Sequence, residues 1–444
     1  MPHINIKKGH NISIAGKPEK EIVDINYPET LAILPTDFKG VKPKLIVDQG
    51  DEVKIGSPLF FDKTKPDVKW ASPGSGKINN IEYGPRRVIQ NIEILLDQEQ
   101  EYIEHKSADI KNMDRSKVLA MILEANIFPV FRQRPFNTIP DPNVPPRDIF
   151  ISAFDTSPLA VDLEMVLGTE LENFQIGVDA LNLLTDGKVY LTTQKDSVLS
   201  SIQNVEINTI SGPHPVGNVG IQIHHISHLK PGDIIWTLNA QDVVMLGKLF
   251  LIGRYDPSKV ITVAGPSVKN PTHARINVGS PMKSLLEENL VGNDHRIISG
   301  NVLTGRKSSL DDYISYYDNT VSVISNEIKR EFIGMLNPGT SSSRYSLTPV
   351  FLSFTKLLFS FTTSQNGNHR AVVPINSWER VLPMDILPNE LYRSVLAKDI
   401  EEMESLGLIE CDDEDFALCS FACPSKTDVG SVIRKGLDML QAEV

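Results

Sequence analysis

The chain has 444 residues, 41% hydrophobic and 23% charged, so it is long enough for several domains and apolar enough to bury a core in each. Lys plus Arg number 44 and Asp plus Glu 56, a net charge of −12, which argues against a nucleic-acid binder, since phosphate neutralisation needs clustered basic residues. Three cysteines exclude a disulfide framework, and their late positions at 411, 419 and 423 raise the question of a metal instead.

In chain order, the opening MPHINIKKGHNISIAG lacks the apolar run of a secretory signal. The most apolar stretch, 347–363, is shorter than the ~20 residues of a membrane span and carries Lys356 at its middle. The expectation is a cytoplasmic chain that reaches a membrane only through a partner. The first hundred residues alternate apolar and polar positions between Gly-Asp and Gly-Ser turns and predict β structure. A helix is predicted over 114–127, capped by Asp114. A loop with six prolines in nineteen residues follows, 129–147. Alternating runs then predict strands at 149–154 and 188–193, helices at 172–184 and 196–203, a strand at 222–227, and a helix after Asn239. Short β runs around a helical 282–290 fill 260–305. The remainder reads as helical: Thr348-Pro349 opens a helix with Phe351, Phe354, Leu358 and Phe361 on one face, which suits a local core better than a partner. An acidic stretch, 399–415, precedes a last helix from about Val429.

Five constellations could carry chemistry. The hairpins of 50–78 resemble a biotinyl/lipoyl-type barrel-sandwich domain, with Lys63 near a tip where a swinging cofactor would be attached; an unmodified copy of that fold is the favoured reading. At 149–160 a dinucleotide binder would place three glycines for the pyrophosphate. Here the turn is Asp155-Thr156-Ser157-Pro158, and the glycine cluster Gly212-Pro-His214-Pro-Val-Gly217-Asn-Val-Gly220 has prolines where N–H donors are wanted. Cys419-Ser-Phe-Ala-Cys423-Pro424 matches the end of a bacterial ferredoxin run, but the two earlier ligand positions are Asp413 and Phe416, and Cys411 is out of spacing. His224 and His225, read as strand neighbours, face opposite sides and suit hydrogen bonding better than a metal. In the proline-rich loop, Arg132 and Arg134 are bracketed by Phe131 and Phe136, a set that suits a flat carbonyl-bearing ligand such as a quinone head or an acidic partner, with a pinned linker as the bland alternative.

The segments 6–16, 47–63, 73–78, 84–90, 131–140, 149–160, 212–220 and 416–426 together resemble one family over nearly the whole chain: the A subunit of the bacterial sodium-translocating NADH:quinone oxidoreductase. The 260–305 stretch resembles the β-grasp SLBB module, and the family is similar to the C subunit of the Rnf complex and to the flavin- and NADH-binding subunit of respiratory complex I. The resemblance implies a multi-domain α/β and α+β fold: a barrel-sandwich domain over 1–105, a Rossmann-like α/β domain over 106–257, an SLBB β-grasp domain over 258–330 and a helical ferredoxin-like domain without a cluster over 331–444. It implies a peripheral subunit on the cytoplasmic face of the bacterial inner membrane. Its partners would be five other subunits, the integral membrane B subunit above all. The assembly would oxidise NADH, reduce ubiquinone or menaquinone and export Na⁺, with FAD, FMN, riboflavin and Fe–S on other subunits and none held by this chain. Phe131, Arg132, Arg134 and Phe136 would lie near the quinone side or a partner. The alternatives are an Rnf C-like electron carrier with a cluster at Cys411, Cys419 and Cys423, and a carrier module modified at Lys63.

Overall fold

Alternation of apolar and polar residues from Thr30 to Leu96 builds two small sheets around one core. The computed structural model describes residues 2–107, 109–327, 336, 338–339, 345–347, 357–365 and 367–443. Strands Thr30–Ile33, Ile89–Leu96, Gly76–Tyr83 and Glu52–Val53 form an antiparallel sheet, and Pro43–Leu45, Pro58–Asp62 and Lys65–Ala71 form a second. Every second residue turns inward, burying Ile78, Ile92 and Ile94 from one sheet with Leu59, Val68 and Trp70 from the other. Phe60 stacks on Trp70 at 4.5 Å between ring centroids. The residues before Thr30 do not join these sheets. His3–Asn5 and Ile22–Asp24 each pair in parallel with a strand far along the chain, Glu206–Ser211 and Thr272–Asn277 respectively.

The α/β sheet is ordered His3–Asn5, Glu206–Ser211, Val189–Thr193, Ile149–Ser152, Ile235–Asn239, Arg132–Arg134, parallel except for the last. Ile149 and Ile151 face helices Leu171–Asn182 and Ala240–Ile252, whereas Phe150 faces Val219 and Ile223 of helix Val219–Ser227. Being covered on both faces explains the near-continuous apolar run of the central strand. Asp114 caps Arg115–Glu124 as predicted, accepting from Lys117 N at 2.9 Å.

Two predictions fail here for physical reasons. The expected helix over 196–203 is one 3₁₀ turn, Val198–Ser201. Its serines bond locally, Ser197 Oγ accepting from Leu199 N at 3.1 Å and Ser200 Oγ donating to Ser197 O at 2.7 Å, and so compete with helix propagation. The expected strand at 222–227 lies inside helix Val219–Ser227. That helix is sandwiched between sheet and tail, with Val219 to Ile223 all buried, so the period that would have revealed it is blurred.

Strands Ser258–Ala264, Thr272–Asn277, His295–Ser299, Arg306–Ser308 and Thr320–Ser325 make a mixed sheet, covered by the short helix Met282–Leu286. The tail packs helices Pro388–Ala397, Ile400–Ser405, Ala417–Ala422 and Val429–Glu443 around Leu391, Met403, Leu408 and Phe416, and this cluster is continuous with Ile210, Val216 and Ile221 of the α/β unit. Of the predicted helix at 348–363, Thr348, Phe351 and Phe354 lie outside the described residues. Leu358 and Phe361 belong to an extended segment in which Phe359 N donates to Ser13 O at 2.7 Å. Among the described residues no helix is long and apolar enough to cross a membrane.

Candidate functional site

After strand Ile149–Ser152 the chain builds two strands to one side, then returns to the other side with Ile235–Asn239. A crevice outside the carboxyl ends of the strands at such a reversal is where open α/β sheets take ligands. A cavity of about 130 Å³ opens there, lined by Ser152 and Asp155 from the first strand end, Asn239 and Gln241 from the second, and Asn218, Arg132, Asn301, Asn319 and Glu414. Amides, hydroxyls and charged groups dominate, and among the described residues no Phe, Tyr or Trp lines it.

The glycines near this cleft serve the chain itself. A Cβ on Gly217 would stand 2.4 Å from Thr156 N, and one on Gly220 would stand 2.2 Å from the Asp415 carboxylate. That carboxylate, with Glu414, covers the start of helix Val219–Ser227: Asn218 Nδ2 donates to Glu414 O at 3.1 Å and to Asp415 Oδ1 at 3.4 Å. Where a phosphate would meet a helix N-terminus, the chain has placed its own acid. His214 supplies no cation, because burial pushes its pKa down to about 4. Its Nδ1 lies 3.2 Å from Thr156 Oγ1, which also accepts from Gly217 N at 2.9 Å.

The four loop residues singled out from the sequence do not share one surface. Phe131 is fully buried, 5.0 Å from Trp236 between ring centroids. Arg132 lies over the Tyr317 ring at 5.0 Å and is the one of the four that lines the cleft. Arg134, 2% exposed, donates from Nη2 to Glu414 Oε1 at 2.6 Å and has Nη1 3.2 Å from Asp412 Oδ2. Phe136 packs in the tail core, and its carbonyl accepts from Arg434 Nη1 at 2.8 Å. The proline-rich loop and the acidic turn at 412–415, with Arg134 and Asp412 278 residues apart, are therefore one interface, and Asn137 Nδ2 joins it by donating to Asp412 Oδ2 at 2.5 Å. Burial alone would raise the Asp412 carboxyl, but Arg134, with Lys39 and Arg434, overrides it and holds Asp412 well below the usual carboxylate range. Burial, together with the Asp412 charge, pushes Asp413 up to about 6. Sequence reasoning missed Asp412, Glu414, Asn137 and Arg434; Asp412 and Glu414 were signalled only by an acidic run that ordinarily reads as a solvated face.

The donor set for a cluster does not gather. Phe416 and Cys419 are fully buried and Cys423 is 3% exposed, all three in the tail's apolar core, while Asp413 points to Lys39 at 2.7 Å. Burial pushes the Cys419 thiol far up, away from the thiolate a metal needs. No three His, Cys, Asp or Glu side chains among the described residues converge as a metal site. Lys63 is exposed at a turn tightened by Asp62, which accepts from Thr64 N at 3.0 Å and Thr64 Oγ1 at 2.8 Å. Lys65, two residues on, reaches back to donate to Ile139 O at 2.6 Å. His224 Nδ1 meets Glu410 Oε2 at 2.9 Å, and His225 Nε2 donates to Pro383 O at 2.8 Å; both join the helix to the tail.

Behind the cleft wall, burial raises Asp242 to about 6 against the lowering pull of Lys259 and Arg132. Lys259 is itself pushed down to about 8 by burial and donates to Tyr316 O at 2.8 Å and Asp318 O at 2.7 Å. A carboxyl raised from 3.8 stabilises the fold below its unfolded pKa and loses that contribution as pH rises through about 6. Asp242→Asn should therefore reduce the loss of stability between acid and neutral pH by up to about 3 kcal/mol, read from amide hydrogen exchange in helix Ala240–Ile252. An unchanged pH profile would show that folding does not raise the Asp242 carboxyl.

Three family models match the chain: the NqrA N-terminal barrel-sandwich hybrid domain over residues 4–97, the NqrA second alpha/beta domain over 113–255, and the NQRA C-terminal domain, an SLBB model, over 260–309. The barrel-sandwich, α/β and SLBB-like architecture expected from the sequence stands at that level. A Pasteurella multocida protein, named as the A subunit of Na(+)-translocating NADH-quinone reductase, is 38% identical over 446 residues, covering 99% of this chain and 100% of its own. Proteins of the same name from Marinomonas sp. and Yersinia pseudotuberculosis are 37% and 38% identical, each over 99% of this chain. A solved NAD⁺-reducing [NiFe]-hydrogenase is 12% identical with a TM-score of 0.38, over 78% of this chain and 67% of its own, too loose a likeness to inform the fold. On full-length identity and three successive domain matches, the chain belongs to the NqrA family, the A subunits of Na(+)-translocating NADH-quinone reductase.

Proposed function

We propose that this chain is the peripheral, structural subunit of a Na⁺-translocating NADH:quinone reductase, seated on the cytoplasmic face of the bacterial inner membrane against the integral membrane B subunit and four further subunits. The assembly couples NADH oxidation and ubiquinone or menaquinone reduction to Na⁺ export. FAD, FMN, riboflavin and Fe–S belong to the other subunits, and this chain holds none. The observation that carries the reading is that the chain's own groups stand where cofactors would be held: Asp415 lies against Gly220 at the helix start beside the cleft, and Phe416 occupies a cluster-ligand position in an apolar core. The α/β unit over 106–257 is then a Rossmann-like domain without a nucleotide grip, and 331–444 a ferredoxin-like helical module without a cluster. Residues 1–105 and 258–330 are the barrel-sandwich and SLBB units, except that strands His3–Asn5 and Ile22–Asp24 pair with the α/β and SLBB sheets.

A tagged chain expressed in a host that makes the complex should bring down integral membrane proteins and NADH-dependent quinone reductase activity. A chain that purifies alone, with neither, would overturn the reading. Within the loop, Arg132 is the residue with access to the cleft. In the assembled complex, Arg132→Ala should raise the quinone KM, or weaken a quinone-site inhibitor, by roughly fivefold with subunit composition intact. Unchanged kinetics would reduce the loop to a pinned linker.

A further inference from the structure

We propose that the tip of the long hairpin formed by Gly76–Tyr83 and Ile89–Leu96 is a membrane-surface contact, taking anionic lipid headgroups on Arg86 and Arg87 and laying Tyr83 and Val88 at the headgroup boundary. The proposal rests on the reading of the chain as a peripheral membrane subunit and adds the element that meets the bilayer.

The base of the hairpin is core, with Ile78, Ile92 and Ile94 buried. From Glu82 the hairpin leaves that core: Glu82, Tyr83, Pro85, Arg86, Arg87 and Val88 are all exposed, Tyr83 by 54% and Val88 by 46%. Other charges on the hairpin have partners. Lys77 pairs with Glu52 at 3.6 Å, and Glu82 accepts from Asn91 Nδ2 at 2.6 Å. The side chains of Arg86 and Arg87 make no ion pair or hydrogen bond among the described residues. Two unpaired neighbouring arginines in a chain of net charge −12 are available to an external anion. Their backbones are fixed: both residues lie in the left-handed region, at φ 57° and 59°, while Gly84 N donates to Val88 O at 2.8 Å and Arg87 N to Gly84 O at 3.2 Å. Consecutive non-glycine residues in that region are costly and persist where the surroundings hold them, which here is the closure of the tip.

Size decides between occupants. A stable protein interface covers about 800 Å² on each partner, and the half-dozen exposed residues of the tip are too few to supply that alone. A headgroup layer accepts a protruding point. Its chemistry also fits: Tyr favours the boundary between water and acyl chains, and Arg lays its stem along apolar surface with the guanidinium on phosphate. Two charges bind weakly, so the contact orients a chain that its protein partners hold.

The full-length chain is sedimented at low salt with vesicles of phosphatidylcholine alone, or of phosphatidylcholine and phosphatidylglycerol in equal parts. Wild type is expected to favour the anionic vesicles. Arg86→Glu/Arg87→Glu should lose roughly tenfold of that binding, Tyr83→Ser a smaller share, and Arg86→Lys/Arg87→Lys almost none, all at wild-type thermal midpoint. Equal sedimentation of wild type with both vesicles, or unchanged binding by the double Glu variant, overturns the proposal. So does a double Glu variant that loses its membrane-protein partners while wild type shows no lipid preference, because the tip would then meet an acidic protein surface. Failure of wild type to bring down those partners counts against the subunit reading and leaves the vesicle result standing.

Discussion

Arg134→Ala is expected to cost about 3–5 kcal/mol at the junction between the α/β unit and the tail, because it leaves Asp412 and Glu414 without their buried counter-charge. Several domains make a single unfolding free energy ill-defined, so amide hydrogen exchange in helix Val429–Glu443 is the better readout, and its protection should fall by about two to four orders of magnitude. The pH dependence separates this account from simple loss of packing. In wild type the depressed Asp412 stabilises the interface above its unfolded pKa of 3.8, and that contribution is lost only as pH falls through the still lower folded value. Without Arg134 the counter-charges left to Asp412 are Arg434 at 3.5 Å and Lys39 at 3.9 Å, so its depression lessens and the cost of the substitution should shrink as pH falls below about 4. A variant that is uniformly weak across that range would show that the guanidinium acts by shape alone. A variant with wild-type exchange would remove the ion pairs from the account altogether.

Gly247→Ala should destabilise the α/β unit by about 3 kcal/mol or more, although Ala is the better helix former by roughly 1 kcal/mol. Helices Leu171–Asn182 and Ala240–Ile252 cross so closely that a Cβ on Gly247 would stand 1.8 Å from the Asn173 carbonyl oxygen. That neighbour is backbone and cannot rotate away, so the helices must separate and lose their packing along the whole contact. Thermal unfolding of the variant checks the sign: a midpoint at or above wild type would mean that the crossing is looser than this geometry.

Much of the fold was legible because local pattern and tertiary environment agree. Asp114 caps a helix, the apolar run from Ile149 is a strand covered on both faces, and alternation around Phe60 and Trp70 marks a small β core. Legibility ended where an element's partner lies far along the chain or covers two sides at once. The opening strands His3–Asn5 and Ile22–Asp24 are three residues each and largely exposed, and nothing within them signals a parallel neighbour at Thr209 or Ala274. Helix Val219–Ser227 hid its period because both its faces are buried. The junction at 149–160 was legible as the place where a dinucleotide binder would carry its glycines, but the reversal of strand order that opens a cleft there was not. That Glu414 and Asp415 would reach back to cover it was not legible. Arg134 reads as a ligand-facing group in the bare sequence because nothing there pairs it with an acid 278 residues away.

Native mass and visible absorbance of the chain, separated from the assembled complex without denaturation, test most directly the proposal that it holds no flavin or iron cluster of its own. The account predicts the 49.3 kDa of the bare polypeptide and no flavin band. Iron should be below about 0.1 per chain, against the four of a [4Fe–4S] cluster. A stoichiometric flavin, or iron approaching about four per chain, would contradict it.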